Sequence, residues 1–105
     1  MGITTKHSHL PQMESERLRR YISDLDQAVS KRPELVCGIV RPSGDTALNV
    51  IRIGSARRFA EITALDVFGC AWFVWVTDGG LIGSVDDAEG VAHTIALELT
   101  HAVQS

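Results

Sequence analysis

The sequence contains no lysine or arginine after residue 58. All ten basic residues lie in residues 1–58 together with six acids, whereas residues 59–105 carry seven acids and no basic residue. Such asymmetry occurs where a basic part meets nucleic acid, and also where two halves face each other within a fold or across a homodimer. Because the net charge is −3 and the basic residues are scattered, the second interpretation is favoured and nucleic acid is disfavoured as a partner.

Cysteine is scarce, and long apolar runs are missing. Cys37 and Cys70 are the two cysteines, and both fall in predicted strands. Because free cysteine is among the most buried residue types, both are expected to be inert thiols of the core; whether they lie close together stays open. No apolar run approaches the ~18 residues needed to span a bilayer. Since the N-terminus also lacks a signal-peptide pattern, the expected location is the cytoplasm, with no membrane partner.

Sequence motifs for catalysis and for cofactor binding are missing as well. The glycines of residues 78–83 match neither the dinucleotide fingerprint nor the phosphate loop, and they predict a hairpin turn. The acids of residues 86–89 lack EF-hand spacing and are expected at the start of a helix. With no Gly-x-Ser-x-Gly motif and no cysteine beside an evident base, the chain is predicted to be non-enzymatic, without cofactor or resident metal.

Composition favours one globular domain. Apolar residues make up 45% of the chain and charged residues 22%. A chain of 105 residues buries roughly 65% of its unfolded surface, which is enough for one core. Residues 1–10 have no hydrophobic period and are predicted to form a flexible tail before a single domain over residues 11–105. His7 and His9 in that tail make a poor metal site without further ligands.

The first helix is predicted over residues 11–30. Its apolar positions recur at spacings of three and four, as on one face of a helix. These positions are Leu18, Tyr21, Ile22, Leu25, Ala28 and Val29. Pro33 ends the pattern, because the residue before a proline avoids the helical region.

The rest of the chain predicts a sheet and a second helix. Strands are expected over residues 35–40, 47–53, 59–66 and 70–77, and a helix over residues 84–103. A helix is the competing interpretation of residues 56–66, where Ala, Glu and Leu are common. The predicted fold class is α+β: an N-terminal helix, a four-stranded mostly antiparallel sheet and a C-terminal helix, with both helices on one face of the sheet.

The strand predicted at residues 70–77 is apolar on both faces. One face carries Trp72, Val74 and Val76, and the other carries Ala71, Phe73 and Trp75. Since two helices cover one face of a four-stranded sheet, the second face is expected to meet another surface, most simply a copy of the same chain. The residues predicted to contact a partner are Phe73, Trp75, Arg52, Arg57 and Arg58.

The same region resembles a family. The pattern consists of a tryptophan-rich strand, a turn and an alanine-rich helix, carried by Trp72, Phe73, Trp75, Ile82-Gly83 and Asp86-Asp87. Over residues 35–103 it resembles small uncharacterised actinobacterial proteins, although Ser84 stands where those proteins often have proline. The resemblance implies a shared fold and an accessory regulatory role beside transcription regulators, and it implies no catalytic residue.

Two functions follow from these patterns. The first is a non-enzymatic interaction or regulatory module that associates with itself, with a protein partner as a further possibility. The second is a small-molecule-binding domain with a pocket between sheet and helices, whose polar groups would include Tyr21, Cys37 or His93.

Overall fold

A computed structural model describes residues 13–41, 45–54 and 59–104. Within these residues, five antiparallel strands form a meander in which each strand pairs with its neighbour in sequence. The strands are β1 Leu35–Val40, β2 Ala47–Arg52, β3 Phe59–Val67, β4 Cys70–Trp75 and β5 Leu81–Ser84. Helix α1, Ser15–Ser30, precedes the sheet, and helix α2, Ala88–Gln104, follows it. The predicted α+β class is confirmed, and residues 56–66 belong to a strand wherever the structure describes them.

The predicted number of strands was wrong, because residues 81–84 form a fifth strand. β5 is only four residues long, and its pairing with β4 has a register shift between Phe73 and Val74. It also contains Gly83, and glycine is depleted in strands. These features weaken the alternating pattern from which a strand is recognised in a sequence. The hairpin turn predicted before it is present: the Gly80 amide donates to Asp78 Oδ1 at 2.8 Å.

Helix α1 forms where the apolar stripe predicts it. Ile22, Leu25, Ala28 and Val29 are buried against the sheet. The helix begins at Ser15 rather than at residue 11, and Glu14 precedes it with an extended backbone. Residues 1–12, and with them the predicted tail and the two histidines in it, lie outside the described residues.

Both helices pack on the same face of the sheet, which we call the covered face. The strands contribute Leu35, Leu48, Val50, Ile62, Ala64 and Phe73 to the core that they share with the helices. These positions are direct partners across neighbouring strands, as Leu48 is with Ile62 and Ala64 with Phe73. The residues between them point to the opposite side, which we call the open face.

Helix α2 approaches β5 closely. A Cβ atom on Gly83 would lie 2.8 Å from Val91 Cγ2 of α2. The helix begins where the acidic residues predict, since Asp87 Oδ1 accepts a hydrogen bond from the amide of Gly90 at 3.1 Å. Gly83 therefore sets the distance between α2 and the sheet.

We expect Gly83→Ala to lower the free energy of unfolding by roughly 1–3 kcal/mol, because the added methyl group overlaps a buried valine. Gly38→Ala is the matched control: a Cβ atom there has no neighbour within 4 Å, and alanine is favoured over glycine in a strand. Denaturant unfolding measures both. Equal losses of stability in the two variants would contradict the close α2–β5 contact.

Candidate functional site

The open face of the sheet is apolar and exposed. Val36 is 53% exposed, Phe59 60% and Leu81 52%. Ile51, Leu65 and Val76 on this face are more than a third exposed, Val40, Val67 and Trp72 are partly exposed, and Val74 is buried within the chain. Glu61 is the one charged residue among the described strand positions on this side. The open face therefore has the composition of a contact surface rather than of a hydrated surface.

Two of the residues predicted to contact a partner lie on the covered face instead. Phe73 has no exposed surface and belongs to the core, so its predicted partner contact was wrong for the single chain. Trp75 is partly buried and packs against the same core. On the same strand, Trp72 and Val74 are the residues that point to the open face. Alternation separates the two sets of side chains, but it does not reveal which set the helices cover.

Arg52, a further residue predicted to contact a partner, does not lie on the open face either. Arg52 pairs with the core residue Leu35 and is directed to the covered face, where it is partly buried. Arg57 and Arg58 lie outside the described residues. Among the described residues, no arginine joins the open face.

A cavity of about 320 Å³ lies beside β3 near the start of β2, and residues of both sheet faces line it. Its lining consists of apolar side chains, two threonines and two carboxylates: Met13, Leu18, Asp45, Thr46, Ala47, Glu61, Thr63, Ala64, Leu65 and Val76. The Thr63 hydroxyl donates to the Thr46 carbonyl oxygen at 3.0 Å and joins the two strands at the cavity wall. Tyr21, Cys37 and His93, the predicted polar groups of a pocket, are not among the lining residues.

The β3–β4 hairpin carries an unusual residue at its tip. Phe68 and Gly69 form a two-residue turn in which both residues have positive φ, 52° and 83°. Such turns favour asparagine and glycine, because a bulky side chain is disfavoured in the left-handed region. The Phe68 side chain is fully exposed. The sequence predicted a turn here, but nothing in it indicated an exposed aromatic ring at the tip.

The opposed charges of the two halves meet within one chain. Arg17 of α1 donates to both carboxylate oxygens of Asp66 on β3, at 3.3 and 3.4 Å. Lys31 at the end of α1 lies 2.7 Å from Glu89 in the first turn of α2. Each pair joins a basic residue of the first half to an acid of the second. Being partly or largely exposed, the pairs orient the helices more than they stabilise them.

The two cysteines differ in environment and neither is an activated nucleophile. The Cys37 thiol donates to Asp26 Oδ1 at 3.1 Å and lies 3.5 Å from Ser30 Oγ. Burial raises the pKa of this thiol; the Ser30 contact lowers it and the Asp26 carboxylate raises it, with a net increase. Cys70 is exposed, so the expectation of a core thiol was wrong for it. β1 and β4 are three strand spacings apart, about 14 Å, which is too far for a disulfide within the chain.

Known proteins offer no guide to this site. No family model, no curated protein and no solved structure matches the chain. The resemblance to actinobacterial proteins stays a prediction. In the part of the chain that the structure describes, no helix is long and apolar enough to cross a membrane. Among the described residues, no three His, Cys, Asp or Glu side chains lie together so as to hold a metal ion.

We expect iodoacetamide to modify Cys70 before Cys37 at neutral pH, because Cys37 is partly buried and its raised pKa keeps it protonated. Cys37 should react only at a pH higher than the pH at which an ordinary exposed thiol begins to react. Asp26→Asn removes a carboxylate that raises this pKa, so it should move the reactivity profile of Cys37 to lower pH. Mass spectrometry of the labelled peptides measures both. An unchanged profile in Asp26→Asn would contradict the assigned contact.

Proposed function

We propose that this chain is a non-enzymatic interaction module that associates with a second copy of itself through the open face. The observation that carries the proposal is the row of exposed apolar side chains on that face, with Val36, Phe59 and Leu81 each more than half exposed. Burial of such side chains is the main favourable contribution to protein association.

The size of the open face supports this function. Strands about 20 Å long and about 4.8 Å apart give five strands a flat area on the order of 500 Å². Protruding side chains raise the accessible area above that figure. Small stable interfaces bury about 600 Å² on each partner. The face is therefore of the size that one subunit contributes to a modest dimer.

The chemistry of the open face favours a second copy over an unrelated protein. Homodimer interfaces are more apolar than interfaces between proteins that also exist alone. Glu61 is the one charge among the described strand positions of this face, so two copies can approach with little like-charge repulsion. Arg17 pairs with Asp66 and Lys31 pairs with Glu89 within the same chain, so these charges are not left for a partner.

The module acts in the cytoplasm, where thiols such as the exposed Cys70 are kept reduced. The resemblance carried by Ile82-Gly83 and Asp86-Asp87 supports a regulatory role of the actinobacterial kind, beside transcription regulators. In this role the protein takes part in complexes and does not itself bind nucleic acid.

A second function is favoured by the cavity. Its volume of about 320 Å³ lies within the range of small-molecule sites. The carboxylates of Asp45 and Glu61 beside an apolar wall suit a small ligand with an amine or hydroxyl group. Native mass spectrometry of protein isolated from its own cell tests this function, because a bound molecule adds a defined mass that denaturation removes.

We expect Ile51→Lys to convert the dimer to a monomer, because it places a charge on each copy inside the contact. Ile39→Lys is the matched control: Ile39 is similarly exposed but belongs to the covered face of the neighbouring strand. Sedimentation equilibrium over a dilution series measures both, with thermal unfolding to verify the fold. A wild-type chain that is monomeric at every concentration would exclude self-association. If Ile39→Lys dissociates the dimer and Ile51→Lys does not, the open face is excluded as the contact surface.

A further inference from the structure

We propose that Phe68 anchors this self-association by inserting its ring into the cavity of the second copy. The inference rests on the proposed function and names the contact through which the two copies recognise each other. It follows from three features of the chain: an aromatic residue in a disfavoured conformation, a cavity of matching size, and the short distance along the chain between Phe68 and Leu65, which lines the cavity.

The fold of the single chain does not account for an aromatic side chain at Phe68. Its φ of 52° places it in the left-handed region, where asparagine or glycine is favoured. Its side chain is fully exposed and contributes nothing to the core. The two-residue turn between paired strands places Phe68 at the tip of the hairpin. An aromatic side chain has few rotatable bonds, so it loses little conformational freedom when it binds.

The cavity accommodates a phenyl ring. An apolar cavity of about 150 Å³ holds a benzene molecule, and this cavity measures about 320 Å³. Met13, Leu18 and Ala64 supply apolar wall, and Leu65 and Val76 lie on the open face beside it. The carboxylates of Asp45 and Glu61 suit the electropositive edge of an aromatic ring.

Strand geometry keeps the ring out of the cavity of its own chain, whose lining does not include Phe68. Leu65 lines the cavity and precedes Phe68 by three residues, or about 10 Å along the strand. Phe68 and the cavity are therefore close to each other along the same strand. A two-fold rotation exchanges them, so that each ring enters the other cavity and both contacts form together.

We expect Phe68→Asn to weaken dimerisation about a hundredfold or more, since two buried rings are lost from each dimer. The melting temperature of the monomer should not fall, because asparagine suits the left-handed position. Phe68→Gly is a second variant with the same expected result. Ile39→Asn is the matched control, because it removes an exposed apolar side chain that belongs to the covered face and does not line the cavity, and dimerisation should be unchanged in it.

A mixing experiment tests the insertion itself. Leu65 lines the cavity and is partly exposed, so a tryptophan in Leu65→Trp should fill the cavity mouth. This variant should weaken dimerisation as Phe68→Asn does. If Leu65→Trp does not fold, Val76→Trp serves the same purpose. A mixture of Phe68→Asn with the cavity-filled variant retains one intact ring and one open cavity. Heterodimers should therefore form more tightly than either homodimer, as measured by fluorescence-detected sedimentation with one variant labelled.

The outcomes separate this inference from the function on which it rests. Weaker dimers in Phe68→Asn together with recovery in the mixture support insertion. If Ile51→Lys abolishes the dimer and Phe68→Asn leaves it unchanged, the insertion of Phe68 is overturned. Self-association through the open face is then retained. A monomeric wild-type chain overturns both, and in that case a bound small molecule detected in the cavity supports the second function.

Discussion

The structure depends on one constraint: the described sheet is apolar on both faces, and both of its helices pack on the same face. Phe73 and its neighbours across the strands are sealed under α1 and α2, and this burial stabilises the fold. On the other side of the same strands, Phe59, Leu65 and Val76 remain exposed. A second layer of protein over those side chains is the arrangement in which apolar strands are normally found.

The polar chemistry of the chain is used to position the helices. Arg17 reaches across to Asp66, and Lys31 reaches to Glu89, so that α1 is tied to β3 at one end and to α2 at the other. Cys37 donates a hydrogen bond to Asp26, and its raised pKa favours the thiol form. Each of these groups is engaged inside the molecule. The features that we propose for contact with other molecules are the open face, the cavity beside β3 and the ring of Phe68.

Much of the fold was predictable, because it depends on local pattern. Spacings of three and four fixed α1, and alternation correctly sorted Trp72 and Val74 from Phe73 and Trp75. Alternation is symmetric, however, and only packing shows that the helices cover the Phe73 side. β5 was missed because Gly83 and the register shift interrupt its pattern. The exposure of Phe68 was not predictable, since the aromatic ring is placed by turn geometry rather than by hydrophobic period.

The central claim is that the two tryptophans of β4 differ: Trp75 packs against the core of the single chain, whereas Trp72 lies on the open face and is covered further only on association. Acrylamide quenching of single-tryptophan variants measures this directly. With Trp75→Phe the signal comes from Trp72 on the open face, and with Trp72→Phe it comes from Trp75 on the covered face. On dilution through the dissociation range, quenching of Trp72 should rise while quenching of Trp75 stays constant. Quenching that is independent of concentration at Trp72, or that changes equally at both residues, would contradict the account.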